Sequence, residues 1–228
     1  MRGFRKEGQP IRRSKLLFRL FLPLLLLNVA GCGITQTTAH DPVGAVGLQP
    51  TVEDKDAGLV GIASGFNLKS YDVIVVDHFV VAPENLKDEE DKALAAEIQP
   101  LLQSEIVRHL RTLGLFTQVV NLSEGDFKQG TERVLRLEGA IARLSPGSQG
   151  LRYFVCFGAG RSKAQVEMHF VDAQSRQVVM VTADRRVGSF GIFGGESKDL
   201  LRESFDEITR GLAKFLWRLS TGEAPRAQ

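Results

Sequence analysis

Asp72-Val73-Ile74-Val75-Val76-Asp77-His78-Phe79-Val80-Val81 decides the fold. The run is almost continuously apolar and β-branched, the pattern of a central strand buried on both faces. Pro83 ends it, because proline cannot donate to a strand ladder. Downstream, from about Asp88 to Leu113, the period changes to that of a helix: Leu102, Ile106, His109, Leu110 and Leu113 repeat at helical spacing. Asp88-Glu89-Glu90-Asp91 suits the positive end of a helix dipole, and Gly114 suits a left-handed cap. Pro100 lies inside this stretch and predicts a kink or a split. Phe116 to Leu122 reads as a second strand, and strand–helix–strand favours a right-handed parallel crossover.

Beyond it the alternation turns antiparallel. Val134–Leu144 and Lys163–Asp172 alternate apolar and polar residues. Asp172-Ala173-Gln174-Ser175-Arg176 makes a hairpin turn, and Gln177–Arg185 returns beside the second strand. Asp199–Leu219 carries Leu201, Phe205, Ile208, Leu212, Phe215 and Leu216 on one helical face. The fold class is therefore α/β (α+β). A mixed sheet of about five strands is expected, with two main helices packed largely on one face, in the order β-α-β-β-β-β-α. The expected core centres on Val73, Val75, Leu137, Val166, Met168 and Val179, covered by Leu102, Ile106, Phe205 and Leu212.

Upstream, the N-terminus reads as an export signal. Arg2, Arg5, Lys6, Arg12, Arg13 and Lys15 precede the apolar run Leu20–Leu27, which closes on Val29-Ala30-Gly31-Cys32. That run is too short to span a bilayer, which needs about 20 apolar residues. A basic region, a short apolar region and small residues form the layout of a secretory signal. Val-Ala-Gly-Cys resembles the lipobox of bacterial lipoproteins. That resemblance implies cleavage between Gly31 and Cys32 and lipid on the Cys32 thiol, anchoring the chain to a membrane. Gly33, rather than an acid, follows the cysteine, which points to the outer membrane facing the periplasm. The expected organisation is a signal peptide at 1–31, a lipidated flexible tether at 32–69, one α/β domain at 70–220 and a disordered tail at 221–228. Gly58–Ala63, late in the tether, could already pack on the domain.

Charge excludes one class of partner. Seven of the 29 Lys and Arg and one of the 27 Asp and Glu lie before Cys32, so the mature chain carries 22 bases against 26 acids, about −4. Nucleic acid, which needs a basic surface to neutralise phosphates, is not an expected partner. Of the two cysteines, Cys32 is the lipid carrier, and Cys156 in Tyr153-Phe154-Val155-Cys156-Phe157 reads as a buried apolar residue.

Several of these pieces resemble bacterial lipoproteins carrying the domain of unknown function 4410. They are the opening strand Asp72–Phe79, Leu110-Arg111-Thr112-Leu113-Gly114-Leu115-Phe116, Arg136-Leu137-Glu138-Gly139, Phe157-Gly158-Ala159-Gly160-Arg161-Ser162 and the last helix. The resemblance runs from about Asp72 to Leu219. It implies architecture and an envelope location, and no catalytic residues.

No motif specifies chemistry. Gly158–Lys163 has neither the spacing of a phosphate loop nor a following helix, so a glycine-rich bend is its plain reading. His40, His78, His109 and His169 form no H-x-x-x-H or H-E-x-x-H pair, so no metal and no cofactor are expected. Asp77 and His78 could be matched with many serines, which gives a triad no force. Gly188–Gly195 is the unusual stretch, because it sets Phe190, Ile192 and Phe193 on a glycine frame. It is either a loop folded onto the core or a contact for an envelope protein partner or a second copy. Two readings follow. One is a membrane-anchored envelope lipoprotein acting as a non-enzymatic interaction module or accessory to an assembly or export system. The alternative is a small periplasmic ligand-binding protein or enzyme with a cleft near Gly158–Lys163. The first predicts an exposed apolar loop and no polar pocket; the second predicts titratable groups converging in a concave site.

Overall fold

A computed structural model of the chain describes residues 33–37, 48–146, 162–189 and 197–227. Cys32, Cys156, most of Gly158–Lys163, and the trio Phe190, Ile192 and Phe193 lie outside these described residues. Nine strands and two long helices occur within them: β1 (Gly33–Thr37), β2 (Val52–Asp54), β3 (Gly58–Ile62), β4 (Val73–Val76), β5 (Val80–Val81), α1 (Glu89–Leu113), β6 (Gln118–Asn121), β7 (Val134–Ser145), β8 (Ser162–Asp172), β9 (Val178–Ser189) and α2 (Ser197–Ser220). All strands join one mixed sheet in the order β2-β3-β9-β8-β7-β4-β6, with β1 also along β9 and β5 along β7. The central strand β4 runs parallel to both β6 and β7, while β7, β8 and β9 pair antiparallel.

The mixed sheet with two helices is the expected fold class, enlarged by short strands. Alternation sends Ile74, Val76, Leu135, Leu137, Val166, Met168 and Phe170 to the face covered by the helices. There they meet Ile98, Leu102, Ile106, Leu110, Phe205, Leu212 and Phe215 in the main core. Each such Leu, Ile or Phe contributes about 1.5–3 kcal/mol when fully buried. Val73 and Val75, expected at the centre, instead belong to a small second cluster on the opposite face, with Val134 and the covering residues Leu122 and Phe127. A strand buried on both faces carries no parity signal, so its apolar run could not say which residues meet the helices.

Helix α1 starts at Asp88, whose side chain accepts the Asp91 N–H at 2.9 Å, and ends at Gly114 with φ 63°. It is a single helix and is not split at Pro100. Proline removes one helical hydrogen bond, but Ile98 and Leu102 on either side are completely buried and hold the segment in place. The hairpin between β8 and β9 is closed by Asp172, whose Oδ1 accepts the N–H groups of Gln174 and Ser175.

Two expected flexible segments belong to the fold. The assigned tether enters the sheet, as β2 and β3 pair with each other and β3 pairs with β9. The β2–β3 turn is bound to α2: the Arg218 guanidinium reaches Asp54 Oδ1 and Oδ2 at 2.7 and 2.8 Å and Asp56 at 2.9 Å. Gly211 allows this approach, since a Cβ there would lie 2.2 Å from the Asp56 carbonyl oxygen. The assigned disordered tail is tied to the same turn, because Arg226 N–H donates to Asp54 Oδ2 and its carbonyl accepts from Lys55 N–H. No helix among the described residues is long and apolar enough to cross a membrane.

Candidate binding face

Both helices lie over one face of the sheet, and alternate strand side chains point to the other. On β7 and β8 these are Arg136, Glu138, Ala140 and Arg143, and Lys163, Gln165, Glu167, His169 and Val171. A bulge between Ile141 and Arg143 shifts the register and brings Arg143 opposite Gln165 on this face. The segment leaving β4 forms a wall: Asp77, His78, Val80, Ala82 and Glu84 rise beside the floor residues Glu138, Ala140, Glu167 and His169. Together they bound an open groove of about 560 Å³. Gly139 makes the wall possible. Its missing side chain leaves the space taken by the ring of Phe79, whose Cε1 would lie 2.2 Å from any Cβ at that position.

Charges in the groove are engaged with one another. Arg136 donates to the Asp77 carboxylate through Nη2, and its Nε lies 3.7 Å from Glu138. Gln165 donates to Glu167 at 3.1 Å, and both side chains are buried although they stand on the face away from the two helices. Across Gln165, Arg143 and Arg185 come from β7 and β9. Burial, and then the charge of Arg143, lowers the pKa of Arg185.

A second hollow of about 600 Å³ adjoins it at Glu138, is lined also by Arg136, and is floored by Val75, Val134 and Val171 beneath Phe127. Between Val171 and Ala173 of its lining, Asp172 accepts the Tyr71 hydroxyl through Oδ2 at 2.9 Å, and Arg133 stacks 4.8 Å from the Tyr71 ring centroid. Burial and the Asp172 carboxylate push the Tyr71 hydroxyl up to about 12. Burial also opposes ionisation of Asp172, but hydrogen bonds from Ser175, Tyr71 and Gln174 outweigh it and lower its pKa.

Asp77 and His78 do not form a catalytic triad. His78 turns Nδ1 to Ser123 Oγ at 3.3 Å, whereas the Asp77 carboxylate is bound to Arg136 and the His78 backbone N–H. No oriented acid–base–hydroxyl chain results. Near the cleft suggested by the sequence, Lys163 is exposed on β8 and Ser162 is buried, while Gly158 to Arg161 lie outside the described residues. The concave polar site therefore lies in the middle of β7 and β8, built mainly on residues that sequence reasoning did not select.

A separate group, which sequence spacing also did not select, joins the two helices. Glu105 and His109, one turn apart on α1, face Asp206 on α2, and one ligand atom of each lies within 4.8 Å of the others. Burial, and then the Arg108 charge, lowers the pKa of His109.

The family model described as a domain of unknown function (DUF4410) matches residues 64–191. No curated protein matches the chain. Among solved structures, the PelC dodecamer from Paraburkholderia phytofirmans is similar at 15% identity and a TM-score of 0.41, covering 68% of this chain and 98% of that one. A Xanthomonas campestris protein assigned to DUF330 is similar at 11% identity and a TM-score of 0.42, with coverage of 76% and 97%. A minor lipoprotein from Acinetobacter baumannii is similar at 12% identity and a TM-score of 0.33, with coverage of 69% and 98%.

Proposed function

The chain belongs to the DUF4410 family, and we propose that it is a lipid-anchored envelope protein that holds a protein partner on the face of its sheet away from the two long helices. The anchor is Cys32, supported by the basic, apolar and small-residue order that ends in Val29-Ala30-Gly31-Cys32. Gly33 supports the outer membrane as the destination.

The observation that carries the binding role is the open groove over Glu138, Ala140, Glu167 and His169. Its titratable groups converge as the ligand-binding alternative predicts, and its volume falls in the range of small-molecule sites, roughly 300–1,000 Å³. Their pairing favours recognition over chemistry. Asp77 is held by Arg136, and Gln165 donates to Glu167. Such groups fix the position of a polar surface and discriminate between partners, which is what an interface needs. The groove adjoins the hollow under Phe127 at Glu138, so an extended segment would lie across both.

A photo-crosslinking residue at Val80, on the groove wall and 59% exposed, tests the reading in intact cells. A discrete protein adduct from Val80, and none from exposed Glu203 on α2, is expected. Equal adducts from both positions, or none from Val80, would refute the assignment of this face.

A further inference from the structure

We propose that Glu105, His109 and Asp206 form a binding site for a divalent cation of the Zn²⁺ class, which clamps α1 to α2. This site is on the helical side of the sheet and stands apart from the partner-binding face.

The geometry of one arginine carries the inference. His109 Nε2 lies 3.9 Å from Glu105 Oε2 and 3.9 Å from Asp206 Oδ1. Among these three atoms sits a single cationic nitrogen, Arg108 Nη2. It donates to Glu105 Oε2, lies 2.9 Å from His109 Nε2 and lies 3.9 Å from Asp206 Oδ1. A guanidinium has only donors, so at this contact Nε2 must be the acceptor. The imidazole is therefore neutral, carries its proton on Nδ1 and aims its Nε2 lone pair into the triad. One nitrogen and two carboxylate oxygens, converging on a point held by positive charge, are the donor set and polarity of a borderline divalent ion site. The three protein ligands leave a fourth position for water.

The arginine is a replaceable occupant. Its side chain is 55% exposed, against 15–32% for the three acceptors, and it can swing into solvent without uncovering core. Asp206 need not release its other partner, because Arg210 binds Oδ2 while Oδ1 faces the triad. An open cleft of about 310 Å³ between the helices, bordered by Leu101, Glu105, Arg202 and Asp206, gives the ion a path in. Metal–ligand distances near 2.0–2.2 Å set tetrahedral ligand atoms roughly 3.3–3.6 Å apart, so the acceptors must draw together from a spacing of up to 4.8 Å.

Zn²⁺ affinity of the purified full-length chain, measured by competition with a chromophoric chelator, tests the site. The wild type should bind one ion here. Arg108→Gln should bind about fivefold more tightly, the exchange value of an exposed ion pair. His109→Ala and Asp206→Asn should each weaken binding by at least about tenfold, because loss of outer-sphere support alone has an effect of that size. Zn²⁺ should raise the melting temperature of the wild type and leave that of His109→Ala unchanged; melting of both variants without metal verifies their folding. Wild-type affinity in His109→Ala overturns the proposal. So does equal affinity in Arg108→Gln and the wild type, or absence of binding in both.

Discussion

Asp54→Ala tests whether the N-terminal hairpin is a structural part of the domain. Asp54 is 2% exposed and accepts from Arg218 and from the backbone N–H groups of Asp56, Ala57 and Arg226. The variant therefore strips the turn, the C-terminal tail and α2 of one shared acceptor. Breaking a buried ion pair on one side costs about 3–5 kcal/mol, mostly from the charge left behind. Asp56 stays within 2.9 Å of Arg218, which places the expected loss near the lower end, about 3 kcal/mol. For a domain of this size that lowers the melting temperature by about 6–12 °C. Asp54→Ala/Arg218→Met removes the stranded charge as well, and should recover more than half of the loss. Thermal melts by circular dichroism in low and high salt read both variants. A single variant within 2 °C of the wild type would refute the clasp.

The pH dependence of the same pair has a definite sign. Burial raises the Asp54 pKa, but the hydrogen bond from Arg218 and those from the Arg226, Asp56 and Ala57 backbone outweigh it, so the net shift is downward. A depressed folded pKa contributes stability that is full above the ordinary aspartate range, near 3.9, and is lost as pH falls through the folded value. The gap between wild type and Asp54→Ala should therefore be constant near neutrality and close in strong acid. Asp184 has the opposite sign. Burial raises its pKa despite Arg186 and Gln36, so its penalty is absent in acid and grows as pH rises. Comparing wild type with Asp54→Ala cancels that background.

Leu102→Ala and Leu212→Ala, both in the main core, should each cost about 2–5 kcal/mol in urea unfolding; wild-type melting of both would misplace the helical faces. Cys32→Ser should release the chain from membranes, and its persistence in the membrane fraction after a salt wash would contradict the lipid anchor. Serine at Phe190, Ile192 and Phe193 together should remove a crosslinked partner or oligomer while leaving the melting temperature nearly unchanged. Unfolding of that triple variant would assign the three side chains to the core.

Elements that bury a face of their own were legible in the residues. α1, β7, β8 and α2 each carry enough apolar residues at one period to declare type and direction. β1, β2 and β3 do not, because their order comes from a neighbour. Gly58-Leu59-Val60-Gly61-Ile62 has two glycines in five residues and is a strand because β9 lies beside it. The cue there was chemical: Asp54 and Asp56, followed by Gly58 at φ 73°, form a turn that needs a cation, and Arg218 supplies it from far along the chain. No period could reveal that pairing.

The sites were hidden for a related reason. Glu138, Glu167 and His169 alternate with core residues, so a strand with one wet face is their sufficient explanation. Only pairing sets β7 beside β8 and beneath Asp77, with Phe79 filling the space over Gly139 to hold the wall. His109 was placed on the apolar stripe of α1, where its spacing from Leu102 and Ile106 does put it. Its neighbour by helical geometry, Glu105, was the available clue, since residues four apart share a face. The third member, Asp206, lies on a helix whose own polar residues read as a solvated surface. The helix pair turns that surface inward at one point, and there a histidine lone pair, two carboxylates and a displaceable cation meet. What a helix face exposes is thus decided by its partner, and what a strand's polar side can meet is decided by the elements that pack over it.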